Sequence, residues 1–96
     1  MTRDEIIEVL KPYKELLDSD NAERDRRTKI VLEGKGPLFY TVEDVLKDYD
    51  YQRQNSKERK KVLDLLKDIE NPEFEKKFRS AHMKVFFNKD IPVENL

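Results

Sequence analysis

The sequence predicts a mainly α-helical domain of about four helices with one short β-hairpin, and an α+β fold is the alternative. Three observations lead to this prediction. Apolar residues recur at spacings of three and four in four segments, which is the pattern of helices that bury one face. Residues that commonly cap helices precede most of these segments. Both glycines of the chain lie in a single turn between two apolar runs, as in a hairpin.

The first helix is predicted over residues 3–18. Thr2 and Glu5 fit a capping box, in which the hydroxyl and the carboxylate each satisfy a free backbone amide. Pro12 lies inside the apolar pattern and removes one backbone donor. The pattern continues in phase beyond it, so we expect a kink rather than a break. The polar cluster at residues 18–21 is expected to form a turn that ends the helix.

The β-hairpin is predicted near residues 29–40. The runs Ile30–Leu32 and Leu38–Tyr40 would form its strands, and Glu33–Pro37 would form its turn. An isolated hairpin is only marginally stable in water, so we expect this one to pack on the helices. In the alternative interpretation, residues 29–32 end a helix and the glycines cap it.

Three more helices are predicted at roughly residues 42–54, 57–70 and 72–87. Asn55 and Ser56 either separate the first two of these or form the polar middle of one long helix. The boundary before the last helix is clear, because asparagine at position 71 suits an N-cap and proline at position 72 suits the first helical position. An extended tail is expected after residue 90. Residues 1–96 are expected to form a single domain.

The composition limits the size of the core and the classes of function. Charged residues make up 43% of the chain and apolar residues 36%, so we expect a partner or self-association to supply further burial. The 20 Lys and Arg nearly balance the 21 Asp and Glu, which disfavours a general polyanion binder. The chain has no cysteine and therefore no disulfide or thiolate metal site. It shows no signal-peptide or membrane-spanning run, so a cytoplasmic location without membrane contact is expected.

Catalytic motifs fail one by one. His82 is the only histidine, and Ser80, two residues away on a helix, would face away from it. The run at residues 18–21 starts like a calcium loop but lacks the later ligands and the glycine. Glu33 and Lys35 fit part of a nuclease metal site without a second acidic strand residue. We therefore predict no enzymatic activity, no cofactor and no bound metal.

Two surfaces remain as candidate binding sites. The first combines aromatic and basic side chains that can stack on bases and neutralise phosphates, or contact a protein. Its residues are Tyr51, Arg53, Lys57, Arg59 and Lys60, together with Arg24, Arg26 and Arg27. The second is the apolar C-terminal end, which a small domain does not readily cover and which suits self-association. Its residues are Phe86, Phe87, Ile91, Val93 and Leu96.

The function predicted from these features is that of a small non-catalytic protein that binds another protein, or a second copy of itself. An adaptor or an inhibitor of a larger complex fits this description. The small size, the lysine-rich composition and the lack of enzyme motifs are typical of accessory proteins encoded by phages or mobile elements. The alternatives are a small nucleic-acid-binding regulator that uses the basic surface and a small-ligand binder assembled at an oligomer interface.

Overall fold

In a computed structural model that describes residues 1–96, the chain forms four α-helices and a short 3-10 turn, with no β-strand. The mainly helical prediction is confirmed, and the predicted β-hairpin near residues 29–40 is wrong. The elements are α1 (Arg3–Leu32), α2 (Val42–Gln54), α3 (Lys57–Leu66), α4 (Pro72–Phe87) and the 3-10 turn Val93–Asn95. Asn55 and Ser56 separate α2 from α3, and Ser56 caps α3 by accepting a hydrogen bond from the Arg59 amide.

Helix α1 is nearly twice as long as predicted. It begins with the Thr2–Glu5 capping box and continues through Pro12 and through residues 18–21 without a break. The predicted end at residue 18 is therefore wrong. Asp, Ser and Asn cost a helix only a few tenths of a kcal/mol each relative to better helix formers. Packing offsets that cost, because Asp20 and Asn21 both interact with Arg53 of α2.

The glycines cap α1 instead of forming a hairpin turn. Gly34 has φ +72°, a left-handed conformation that favours glycine. Its amide donates to the Val31 carbonyl, and the Lys35 amide donates to the Ile30 carbonyl. These two bonds define a Schellman motif. The alternative interpretation, in which residues 29–32 end a helix, is confirmed: tertiary packing in α1 outweighs the strand preference of Ile30 and Val31.

Helix α3 ends at Leu66, four residues before the predicted position 70. Residues after Leu66 form turns, and the Asn71 amide donates to the Asp68 carbonyl. Proline at position 72 disfavours a helical conformation at Asn71, so the chain has to leave the helix before it. The Asn71 side chain then caps α4 through the amides of Glu73 and Phe74.

All three shorter helices pack on α1. Helices α3 and α4 lie against its N-terminal half, residues 3–17, and we call this part the bundle. Helix α2 lies against the C-terminal half, residues 18–32, and we call this part the arm. The core of the bundle contains Ile6, Ile7, Leu10, Val62, Leu65, Phe74 and Ala81. The arm buries only two large apolar side chains of α2, Val45 and Tyr49.

The molecule is elongated. Its principal extents are 54 × 24 × 17 Å and its radius of gyration is 17.2 Å, against about 12–13 Å for a compact chain of this length. Only 10 of the 96 residues are buried. An elongated shape with so thin a core leaves apolar side chains uncovered, and the loop between α1 and α2 lies at the far end of the arm.

Candidate functional site

Three of the most exposed apolar side chains belong to the last residue of α1 and the loop that follows it, at the end of the arm. Leu32 is 74% exposed, Phe39 is 83% exposed and Leu38 is fully exposed. We call these three residues the apolar tip. The sequence does not predict their exposure, because Leu38 and Phe39 fall in the second strand of the predicted hairpin, which is expected to pack on the helices. The available signal was the Gly-Pro pair at positions 36 and 37, which marks a loop more strongly than the apolar run marks a strand.

The backbone around the tip is held at both ends. The Schellman motif closes the end of α1, and the Tyr40 amide donates to the Pro37 carbonyl. Thr41 then caps α2 in a reciprocal box with Asp44, which is the arrangement that satisfies two free amides. The loop also lies close to α1, because a methyl group at Gly36 would stand 3.3 Å from Val31 Cγ2. The exposed side chains are therefore presented from an anchored loop.

A shallow cavity of about 380 Å³ lies beside the tip. Ile30, Val31, Pro37 and Tyr40 line it together with Gly36 and Arg27. The Arg27 guanidinium also lies 5.5 Å from the centroid of the buried Tyr49 ring, within the range of a cation–π contact. Burial raises the pKa of the Tyr49 hydroxyl, with the Arg27 charge opposing it. The cavity is thus apolar on most sides, with one cation held at its edge.

A second apolar depression crosses the bundle between α3 and α4, and we call it the groove. Its volume is about 390 Å³. Lining it are Leu10, Tyr13, Arg59, Val62, Leu63, Leu66, Phe78, His82 and Phe86. The groove exists because α3 and α4 both pack on α1 rather than closely on each other. Leu63 and Leu66 are each more than one third exposed along its edge.

His82 is part of an aromatic row in the groove. Its ring stacks on Phe86 at a centroid distance of 4.7 Å and on Phe78 at 6.1 Å, and Phe87 meets it edge-on. Ser80 is buried on another side of α4, where its hydroxyl receives a hydrogen bond from Arg3 and donates one to the Ile91 carbonyl. The two residues therefore have separate structural environments, and no three His, Cys, Asp or Glu side chains converge as metal ligands would.

The predicted basic surface is only partly assembled. Arg26 and Arg27 both bind Glu23, and Arg24 lies beside Asp25. Arg53 turns inward to Asp20 and Asn21 and is a structural residue of the arm. Three cations of the predicted set, Lys57, Arg59 and Lys60, form no ion pair. Tyr51 is exposed and Arg59 lines the groove.

The predicted self-association residues are mostly covered. The chain reverses at Asn88, which has φ 53°, and the tail folds back so that Asp90 pairs with Arg3. Phe87 is the one large residue of this set that remains mainly exposed. The others are half-buried, namely Phe86, Ile91, Val93 and Leu96. The C-terminal end thus offers less free apolar surface than its sequence indicates.

The Glu23 carboxylate makes the stability of the arm depend on pH. Hydrogen bonds from Arg26 and then from Arg27 lower the pKa of Glu23 from 4.5 to about 2. A carboxyl with a depressed pKa stabilises the fold above its unfolded pKa, and that contribution is lost as pH falls towards the folded value. We expect Glu23→Gln to reduce the loss of stability between pH 4.5 and pH 2, measured by thermal unfolding at a series of pH values.

The matched control for this variant is Glu70→Gln, which removes an exposed carboxylate that has no ion pair. It should leave the pH dependence close to that of the natural chain. Equal pH profiles for Glu23→Gln and the natural chain would show that the Glu23 cluster does not contribute.

No helix of the structure combines the length and the apolar character that crossing a bilayer requires. We compared the chain with protein-family models, curated proteins and solved structures, and none of them matches it. The candidate site therefore rests on the geometry of the chain itself, and its main features are the apolar tip, the cavity beside it and the groove of the bundle.

Proposed function

We propose that this chain is a non-catalytic binding protein that acts through protein–protein contacts, with the apolar tip as its main contact surface. The observation that carries the proposal is the exposure of Leu38 and Phe39 on a loop whose backbone is hydrogen-bonded at both ends. Two apolar side chains that stay in water do not stabilise the fold of their own chain. Their burial against a partner would release the favourable free energy of removing apolar surface from water.

The size of the tip suits an anchor contact. Leu32, Leu38 and Phe39 are each at least 74% exposed, and exposed apolar patches of about 300–600 Å² on a monomer often serve binding. Large side chains that enter a partner's pocket carry most of the energy of an interface. The charges around the tip are mutually paired, since Glu33 lies near both Lys29 and Lys35. An adaptor or inhibitor of a larger complex is the role that this arrangement supports best.

The nucleic-acid alternative has weaker support. Phosphate binding depends on cations that are free to replace the counterions of the phosphates. Four of the eight residues proposed for that surface are arginines that already lie beside carboxylates of this chain. The small-ligand alternative has the cavity beside the tip in its favour, but few polar groups converge there to orient a ligand.

The proposal is tested by replacing Phe39 with a photo-crosslinking phenylalanine analogue in cells that produce the protein. Because the Phe39 ring is 83% exposed at the tip, we expect illumination to give a discrete crosslinked protein band. The band should disappear when Leu38→Asp is added, since a charge at the anchor opposes burial in an apolar pocket.

The control places the same analogue at Tyr51, an exposed aromatic residue more than two turns along α2 from the tip. It should give no band, or a different one that Leu38→Asp does not affect. Equal crosslinking from both positions, or none from position 39, would count against the tip as the contact surface. A band from position 51 alone would favour the basic surface instead.

A further inference from the structure

We propose that the groove between α3 and α4 is a receptor for the apolar tip of a second copy of this chain, so that copies associate head to tail. This inference rests on the proposed function of the tip as a protein-binding surface and names its partner. In this contact the exposed apolar tip of one copy would enter the apolar groove of another.

The tip cannot reach the groove of its own chain. Leu32 ends α1, whereas Leu10 and Tyr13 line the groove on the same helix. About twenty residues of continuous helix separate them, which corresponds to roughly 30 Å at 1.5 Å per residue. Because the tip loop is bonded to the end of α1 at one side and capped into α2 at the other, it cannot fold back over that distance. The tip can enter this groove only from another molecule.

The tip and the groove match in size and in apolar character. Leu38 and Phe39 project from the loop as adjacent apolar side chains. The groove has a volume of about 390 Å³, which lies in the size range of pockets that take apolar ligands. Seven of its nine lining residues are hydrophobic, and the Phe78–His82–Phe86 row offers aromatic faces and edges to an entering ring.

One charged group of the groove is also free to pair with a docked tip. Arg59 lines the groove without an ion pair, and no carboxylate lines it. Beside the tip, Glu33 at the end of α1 lies near Lys29 and Lys35, and Glu43 in the first turn of α2 pairs with Lys47. Both side chains are exposed or half-exposed in pairs with lysines, and such surface pairs exchange partners at little cost. A docked tip therefore brings Arg59 a carboxylate that can exchange its lysine partner for the guanidinium.

The same geometry disfavours a symmetric contact between two tips. Two convex surfaces touch over only part of their area, whereas a groove encloses an inserted side chain on several sides. The tip has only three large side chains, far fewer than the roughly 20–30 residues per partner of a stable interface, so tip insertion should give weak association. Since every copy has one tip and one groove, a head-to-tail contact continues into longer oligomers unless the rotation closes a ring.

The test uses two single variants of the full chain in sedimentation velocity experiments over a wide range of concentration. Phe39→Asp removes the anchor and leaves the groove, and Leu63→Asp blocks the groove and leaves the tip. We expect the natural chain to grow in mass with concentration, and each variant alone to remain a monomer. Their equimolar mixture should form a heterodimer and nothing larger, because only one working tip and one working groove remain.

Both substituted positions are at least 40% exposed, and circular dichroism melts are the check that each variant folds. If Leu63→Asp is unfolded, Leu66→Ser at the same edge of the groove takes its place. A natural chain that stays monomeric at millimolar concentration, or variants that do not combine, would overturn the inference. Crosslinking from position 39 to an unrelated protein by a monomeric chain would leave the proposed function in place and remove this inference alone.

Discussion

Leu10→Ala is expected to lower the free energy of unfolding by about 3 kcal/mol. Leu10 is 1% exposed at the centre of the bundle core, where it belongs to the cluster of α1, α3 and α4 side chains. Removing a buried leucine side chain loses its transfer free energy and leaves a cavity. This loss of unfolding free energy should lie near the lower end of the range for buried leucines. Leu10 also lines the groove, so the side chains around it can move inwards and partly fill the cavity.

The effect is large relative to the whole fold. A chain of 96 residues is expected to be stable by about 5–15 kcal/mol, so this one substitution would remove a substantial part of that margin. The melting temperature should fall by at least about 10 °C. Urea unfolding followed by circular dichroism measures the change directly, provided that the slope of the transition is unchanged.

The matched control is Leu32→Ala, which deletes the same atoms from a side chain that is 74% exposed. It should change the free energy of unfolding by less than about 0.5 kcal/mol. If Leu10→Ala and Leu32→Ala lower the free energy of unfolding by similar amounts, the core does not lie where α1, α3 and α4 meet.

Helix positions could be predicted from the sequence where a cap and an apolar pattern agree. This holds for the start of α1 at Thr2, the start of α2 at Thr41 and the start of α4 at Asn71, and each of these residues makes its capping hydrogen bonds. A cap acts within a few residues along the chain, so its signal is local and readable. The end of α1 was not predictable in this way, because the partner of Asp20 and Asn21 is Arg53, more than thirty residues away along the chain.

The candidate site was less predictable than the fold. Leu38 and Phe39 have the same composition as a buried strand, and only the three-dimensional arrangement shows that nothing of this chain covers them. The basic residues show the opposite case. Arg53 is a free cation in the sequence, yet the antiparallel packing of α2 on α1 makes it part of the structure. The exposure of an apolar side chain and the pairing of a charged one depend on contacts between residues far apart in the chain. Neither the spacing of apolar residues nor the composition of the sequence shows these contacts.

Arg53→Met is expected to destabilise the arm by about 2–3 kcal/mol, less than the roughly 3–5 kcal/mol for breaking a fully buried pair. The Arg53 side chain is 19% exposed and that of Asp20 is 13% exposed, with Arg53 Nε 3.8 Å from Asp20 Oδ2. Both of these atoms are buried without a hydrogen bond of their own. Removing the cation leaves the Asp20 carboxylate in the interface with no opposite charge, and this desolvated charge is the main source of the cost.

The damage should be concentrated in the arm. Only Val45 and Tyr49 of α2 are buried, so little apolar packing holds α2 on α1 once Arg53 is lost. Amide hydrogen exchange is the suitable measurement, because it resolves local opening from global unfolding. In Arg53→Met we expect the α2 amides to exchange faster, while amides of α1 and α4 in the bundle keep most of their protection. Uniformly faster exchange across all four helices would show that the arm and the bundle unfold as one unit.

The double variant Asp20→Leu with Arg53→Met separates the cost of an unpaired charge from the value of the pair. Replacing both members of a buried ion pair with apolar residues of similar size is often neutral or stabilising. We therefore expect the double variant to recover to within about 1 kcal/mol of the natural chain, although Asn21 also loses its bond from Arg53. If the double variant is as unstable as Arg53→Met, the pair itself stabilises the arm. If it recovers, the ion pair contributes little net stability, and the loss in Arg53→Met comes from the Asp20 carboxylate left without its partner.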